Sequence, residues 1–168
     1  MGIRFNADEI FEIAEQIERN GARFYRKGAE GIGDAENRKL LLDLAVMEDD
    51  HERTFASMRT ELTKEEKKPT VFDPEEQAPA YLRDLADGHV FDMRRDPSET
   101  LTGKETMEDI LRKAIDVEKD SVIFYLGMKE MVPARLGGAR VDAIIHEEME
   151  HIVTLKGKLA SLITSRVK

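Results

Sequence analysis

Apolar side chains recur every three to four residues through four long stretches of the chain, the spacing that gives a helix one apolar face. The first stretch opens at "NADE", where Asn6 can cap the backbone and Glu9 can answer three residues on; it runs to about Glu30 and ends in "GIGD". The second opens near Asp34, a further N-cap residue, and is expected to run to roughly Lys67. The third opens near "TGKETMED" and stops before Pro133, and the fourth follows "RLGGAR" almost to the C-terminus. Short connections join the first stretch to the second and the third to the fourth, so each pair is expected to fold as an antiparallel hairpin. Between the hairpins lies a long connection, residues 68–103, with Pro and Asp at its edges and one short helical piece around "APAYLRDLAD". A connection of that length can cross a bundle from end to end. The expected architecture is all-α: an antiparallel four-helix bundle of two helical hairpins with one long crossover containing a short helix, residues 1–168 forming a single domain.

The two hairpins repeat each other at an offset of 100 residues. "IFEIAEQIERNGARFY" (10–25) lies over "ILRKAIDVEKDSVIFY" (110–125), matching Ile10 with Ile110, Ala14 with Ala114, Glu18 with Glu118, and Phe24 and Tyr25 with Phe124 and Tyr125. In the second arms Leu44 matches Ile144, Glu48 matches Glu148, His51 matches His151 and Leu62 matches Leu162, whereas Asp49 faces Met149 and Glu52 faces Ile152. The chain has four histidines, and the two with Glu three residues earlier are the two that lie 100 apart. Two like hairpins imply a pseudo-twofold axis, and residues matched by the repeat are expected to meet across it.

On the apolar face of the first helix the positions read Phe11, Ala14, Glu18, Gly21, Tyr25 and Gly28; on the third they read Leu111, Ala114, Glu118, Ser121, Tyr125 and Met128. The second carries Leu41, Leu44, Glu48, His51, Phe55 and Met58, and the fourth Val141, Ile144, Glu148, His151, Leu155 and Leu162. Four glutamates and two histidines therefore converge near mid-height. Buried carboxylates are costly, and four of them together would repel until some were protonated. Two divalent cations would neutralise the four charges. One Glu from each of two helices, with Glu-x-x-His from each of the other two, is the donor pattern of di-iron and di-manganese carboxylate bundles. The candidate metal ligands are accordingly Glu18, Glu48, His51, Glu118, Glu148 and His151. Carboxylate and imidazole donors without thiolates suit iron or manganese and do not exclude zinc. Tyr25 and Tyr125 read equally as core aromatics with a hydrogen-bonded hydroxyl and as hydroxyls that orient ligand carboxylates or handle protons and electrons. His146 should point off the metal face, and His89 lies in the crossover; both read as surface or packing residues.

Composition narrows the picture. A net charge of −9 disfavours nucleic acid and anionic membranes, which require a basic face. The lack of cysteine excludes disulfides, thiolate zinc sites, iron–sulfur clusters and thiol catalysis. The opening "MGIRFNADEIFEIAEQ" has no uninterrupted apolar run before its charges, so neither a secretory signal nor a membrane span is expected, and a cytoplasmic location is.

With these residues assembled, the chain resembles the rubrerythrin branch of the ferritin-like di-iron carboxylate superfamily. The resemblance rests on "EIAEQIERNGARFY", "AVMEDDHERTF", "AIDVEKDSVIFY" and "IIHEEMEHIVTL", with "YLRDLADGHVF" in the crossover. It implies a ferritin-like bundle holding two iron ions, with Glu18, Glu48 and His51 serving one half of the centre, Glu118, Glu148 and His151 the other, and Glu48 and Glu148 bridging. It further implies a non-haem di-iron oxidoreductase that reacts with hydrogen peroxide or dioxygen, working as a homodimer or higher homo-oligomer. Rubrerythrins proper carry a cysteine-bearing rubredoxin module; this chain has no cysteine, so an external electron donor such as a rubredoxin is expected. Rubrerythrins also carry an extra glutamate one turn after the ligand on the third helix, where this chain has Ser121. The six-ligand set that remains is closer to the ferroxidase centres of ferritins. The alternatives are ferritin-type iron oxidation and storage, and a non-catalytic metal-binding helical scaffold.

Overall fold

The computed structural model describes residues 6–68, 96–136 and 138–166. Side-chain caps decide where three of its four long helices begin. Asn6 accepts from the Glu9 N–H while Glu9 returns a bond to the Asn6 N–H, and this reciprocal box starts α1, Ala7–Glu30. Asp34 accepts from the Asn37 N–H and starts α2, Ala35–Thr60. Thr106 and Asp109 form a second reciprocal box at the head of α3, Met107–Lys129. The fourth helix, α4, Gly138–Arg166, follows a short 3-10 turn at Ala134–Leu136.

The second helix stops at Thr60, short of the expected Lys67. The Glu61 N–H turns back onto the carbonyls of the last helical turn, and Leu62 swings into the core at 7 % exposure. Beyond it the Thr63 N–H and hydroxyl both bond the Glu66 carboxylate, closing a turn of their own. That side chain-to-backbone bonding competes with helix continuation. The short helix expected at "APAYLRDLAD" and His89 lie outside the described residues. The end of the crossover is pinned to α1: a 3-10 turn at Pro97–Thr100 receives Lys27 Nζ on the Ser98 carbonyl at 2.9 Å, and Arg23 pairs with Asp96 at 3.0 Å. Gly103, at φ +83°, takes the left-handed conformation that lets its own N–H and that of Thr102 reach Glu105 just before α3.

Two apolar cores form, one toward each end of the bundle. At one end the start of α1 (Ile10, Phe11, Ala14) and the end of α2 (Phe55, Met58) pack with the end of α3 (Phe124, Tyr125, Met128) and the start of α4 (Val141, Ile144). At the other end the remaining halves of the same helices pack Phe24, Tyr25, Leu41, Leu44, Leu111, Ala114 and Leu155. The expected repeat is thus a geometric one. The pseudo-twofold runs across the bundle and exchanges its ends, so the Phe24–Tyr25 edge contact (5.6 Å, 73°) recurs as Phe124–Tyr125 (5.8 Å, 73°). Among the described residues there are four long helices and no strand, and no helix is long and apolar enough to cross a membrane.

Candidate metal centre

Between the two cores each helix delivers one carboxylate. Glu18, Glu48, Glu118 and Glu148 are 0–4 % exposed, and His51 and His151 are 3 % exposed. All six ligand candidates read from the sequence meet in this layer. Their donor atoms form two overlapping groups: Glu18, Glu48, His51 and Glu148, and Glu48, Glu118, Glu148 and His151, with one atom from each residue lying within 4.8 Å of the others in its group. Glu48 and Glu148 belong to both groups. His51 Nδ1 lies 2.9 Å from Glu148 Oε1 and 3.5 Å from Glu18 Oε2. His151 Nδ1 lies 3.0 Å from Glu148 Oε2, 3.5 Å from Glu118 Oε1 and 3.6 Å from Glu48 Oε1. The two imidazole rings face one another across the axis, 5.8 Å apart and 23° from parallel.

Small residues on α1 and α3 set the width of this layer. A Cβ on Gly21 would lie 3.2 Å from Glu48 Oε2, so the glycine makes room for the Glu48 carboxylate. Its repeat match, Ser121, is buried and spends its hydroxyl on the Val117 carbonyl of its own helix at 3.2 Å.

Both tyrosines serve the cluster, and they do so across the hairpins. The Tyr25 hydroxyl donates to Glu118 Oε1, and the Tyr125 hydroxyl to Glu18 Oε1. Each ring is anchored in a different apolar core, and each hydroxyl fixes the carboxylate supplied by the other hairpin. Tyr125→Phe should leave a buried Glu18 oxygen without its donor and lower stability by about 1–3 kcal/mol; an unchanged denaturant midpoint would contradict this. Glu147 also joins the site, its Oε2 lying 2.8 Å from His51 Nε2. It sits off the inward stripe of α4, so the apolar face of that helix does not point to it. Its signal in the sequence is a break in the repeat, because the matching residue is Met47. His146 is exposed beside Glu150, on the outer face as expected.

The electrostatics are those of a crowded, dry carboxylate cluster. Burial, then the facing carboxylates of Glu148 and Glu118, hold the Glu48 carboxyl well above the usual range. Burial and the charges of Glu118 and Glu18 push Glu148 up to about 8. Burial also pushes Glu118 up, but the hydrogen bonds of His151 and Glu148 outweigh it and leave this carboxyl below its ordinary value. Burial pulls the imidazoles down, yet the carboxylates around them raise His51 to about 11 and His151 to about 10. Both tyrosine hydroxyls are driven well above 10 by burial and the neighbouring glutamates, so they remain donors. Despite this mutual compensation, Glu18 Oε2, Glu48 Oε1, His51 Nδ1, Glu148 Oε1 and His151 Nε2 are buried without an aligned hydrogen-bond partner. Among the described residues the only other such side-chain atom is Asn37 Oδ1. Buried polar atoms are ordinarily satisfied, and here four of the exceptions, Glu18 Oε2, Glu48 Oε1, His51 Nδ1 and Glu148 Oε1, are inward-facing oxygen and nitrogen atoms suited to a hard or borderline divalent cation, whereas His151 Nε2 lies on the outer side of its ring. The residues fit a binuclear metal centre.

No protein-family profile matches the chain, and no curated protein matches it. Among solved structures it is similar to the 2.30 Å crystal structure of a Thermotoga maritima protein assigned as a ferritin-like diiron-carboxylate protein, with a TM-score of 0.68 and 24% sequence identity over 94% of this chain and 96% of that one. At that identity the likeness speaks to architecture, and together with the two hairpins and their crossed pairing it shows that this chain has the ferritin-like four-helix fold.

Proposed function

We propose that the chain is a non-haem di-iron oxidoreductase of rubrerythrin-like type, which reacts with hydrogen peroxide or dioxygen and draws electrons from an external donor such as a rubredoxin. The observation that carries this reading is the pair of four-donor groups sharing Glu48 and Glu148, buried between two apolar cores. Glu18 and His51 would hold one ion and Glu118 and His151 the other, with Glu48 and Glu148 in common. Two ferrous ions there would supply one electron each to the oxidant. The chain itself supplies the rest. Tyr25 and Tyr125 fix the carboxylates of Glu118 and Glu18 and keep their protons within reach of the cluster. The apolar side chains above and below the layer keep bulk water out. A homodimer or higher homo-oligomer belongs to the same reading, with the exposed Met149 and Val153, one turn apart on α4, as its candidate contact.

The test is anaerobic loading with ferrous iron, metal quantification, and rapid mixing with peroxide or with dioxygen. Two irons per chain and a fast ferric absorbance with peroxide are expected. Ser121, engaged with its own helix, keeps the donor set at six and favours ferritin-type iron oxidation and storage as the second reading. Storage requires a closed cage of many subunits, so a small oligomer by sedimentation would exclude it. Loaded protein that consumes neither oxidant would leave only a metal-binding scaffold.

Gly21 offers a separate check. Gly21→Ala should leave the metal-free protein within about 1 kcal/mol of its former stability, because the helix preference of alanine is opposed by contacts of 3.2–3.4 Å with three side-chain atoms of buried Glu48. Metal affinity should nevertheless fall as Glu48 is displaced. Unchanged affinity by competition titration would show that Glu48 is not held against Gly21.

A further inference from the structure

We infer that the two halves of the centre are inequivalent: the position served by His51 binds its metal ion more tightly than the position served by His151, and Glu147 is the residue that makes the difference. This rests on the dinuclear reading above and goes beyond it. Both imidazoles face the glutamates through Nδ1. Their outer nitrogens differ. His51 Nε2 lies 2.8 Å from Glu147 Oε2, whereas His151 Nε2 is buried with no partner. The repeat places Met47 where His151 would need its acceptor, and a thioether is a poor one. A carboxylate accepting from Nε2–H holds the imidazole in the tautomer whose Nδ1 lone pair is free for a metal, fixes the ring plane and raises the basicity of the donor nitrogen. His51 has all three advantages and His151 has none. Glu147 is a positioning residue, acting on the metal through His51.

Cobalt(II) titration of the metal-free protein against a chromophoric chelator tests this. The wild type should bind two ions with stepwise constants at least tenfold apart. Glu147→Ala should weaken the tighter constant by about 10–100-fold, the usual effect of losing such a partner, and leave the weaker one in place. Glu147→Gln, which can still accept, should recover part of the loss, and Met47→Glu should tighten the weaker constant. In the cobalt-loaded protein, the imidazole N–H resonance of His51 should exchange faster with solvent in Glu147→Ala than in the wild type. Two equal constants in the wild type, or equal weakening of both by Glu147→Ala, would overturn the inference. An end point of fewer than two ions per wild-type chain would instead overturn the dinuclear reading, and the inference with it.

Discussion

Glu48→Gln is expected to stabilise the metal-free protein and to abolish tight binding of both metal ions. Glu48 is buried, its Oε1 has no aligned hydrogen-bond partner, and the carboxylates of Glu148, Glu118 and Glu18 all oppose its ionisation. Glutamine has nearly the same shape and no charge, and its amide can donate to those carboxylates where glutamic acid must first take up a proton. The gain in the metal-free state should be on the order of 1–3 kcal/mol, the scale for relieving an ill-matched buried polar group. The metal-bound state responds in the opposite direction. Glu48 belongs to both donor groups, so its loss removes an anionic donor from each ion at once. A ligand present at 100 times its Kd stabilises the folded chain by about 2.7 kcal/mol, and that increment should vanish. Denaturant unfolding with and without added cobalt(II) reads both effects. If Glu48→Gln destabilised the metal-free protein, Glu48 would be an ordinary hydrogen-bonded core carboxyl; if it still bound two ions tightly, Glu48 would not be shared.

The opposed signs follow from how the chain encodes the site, and much of that encoding is local. The caps at Asn6 and Asp34 fall where the sequence puts them because one side chain and one backbone N–H suffice to define each. The six Glu and His residues declare themselves because a charged group on an apolar stripe has few explanations, and the offset of 100 says which pairs meet. What stayed hidden depends on partners distant in sequence. The helical period places Tyr25 on the stripe of Glu18, yet its hydroxyl bonds Glu118, because the twofold brings α3 alongside α1 with the opposite polarity. Glu147 reads as one more surface acid until α2 is packed against α4. The early end of α2 turns on Leu62, whose place in the core exists only once the neighbouring helices are assembled.

The stability of the metal-free protein should fall steadily as pH rises from about 5 to 9, while the stabilisation conferred by metal grows over the same range. Glu48 and Glu148 have folded values raised above the ordinary 4.5, Glu148 to about 8. Through that interval the folded chain holds protons that the unfolded chain has released, so raising the pH favours unfolding. His51 and His151 act in the same sense. Their contribution is complete below the ordinary 6.5 and is lost as pH climbs toward about 11 and 10. Glu118, held below its ordinary 4.5, contributes stability that disappears only in more acid solution, outside this window. Each proton held by the folded chain alone costs about 1.4 kcal/mol per pH unit, so several acting together should give a steep decline. Metal must displace these same protons to reach the carboxylates and imidazole nitrogens, and its apparent affinity therefore rises with pH. Melting curves from pH 5.5 to 9 with and without cobalt(II) should diverge, the metal-free Tm dropping and the metal-dependent increment widening. Calorimetric titration in buffers of different ionisation enthalpy should show about two or more protons released per chain, since both imidazoles must give theirs up. A flat metal-free profile with proton-neutral binding would mean that the cluster balances its own charge without help, and the case for two cations at its centre would fail.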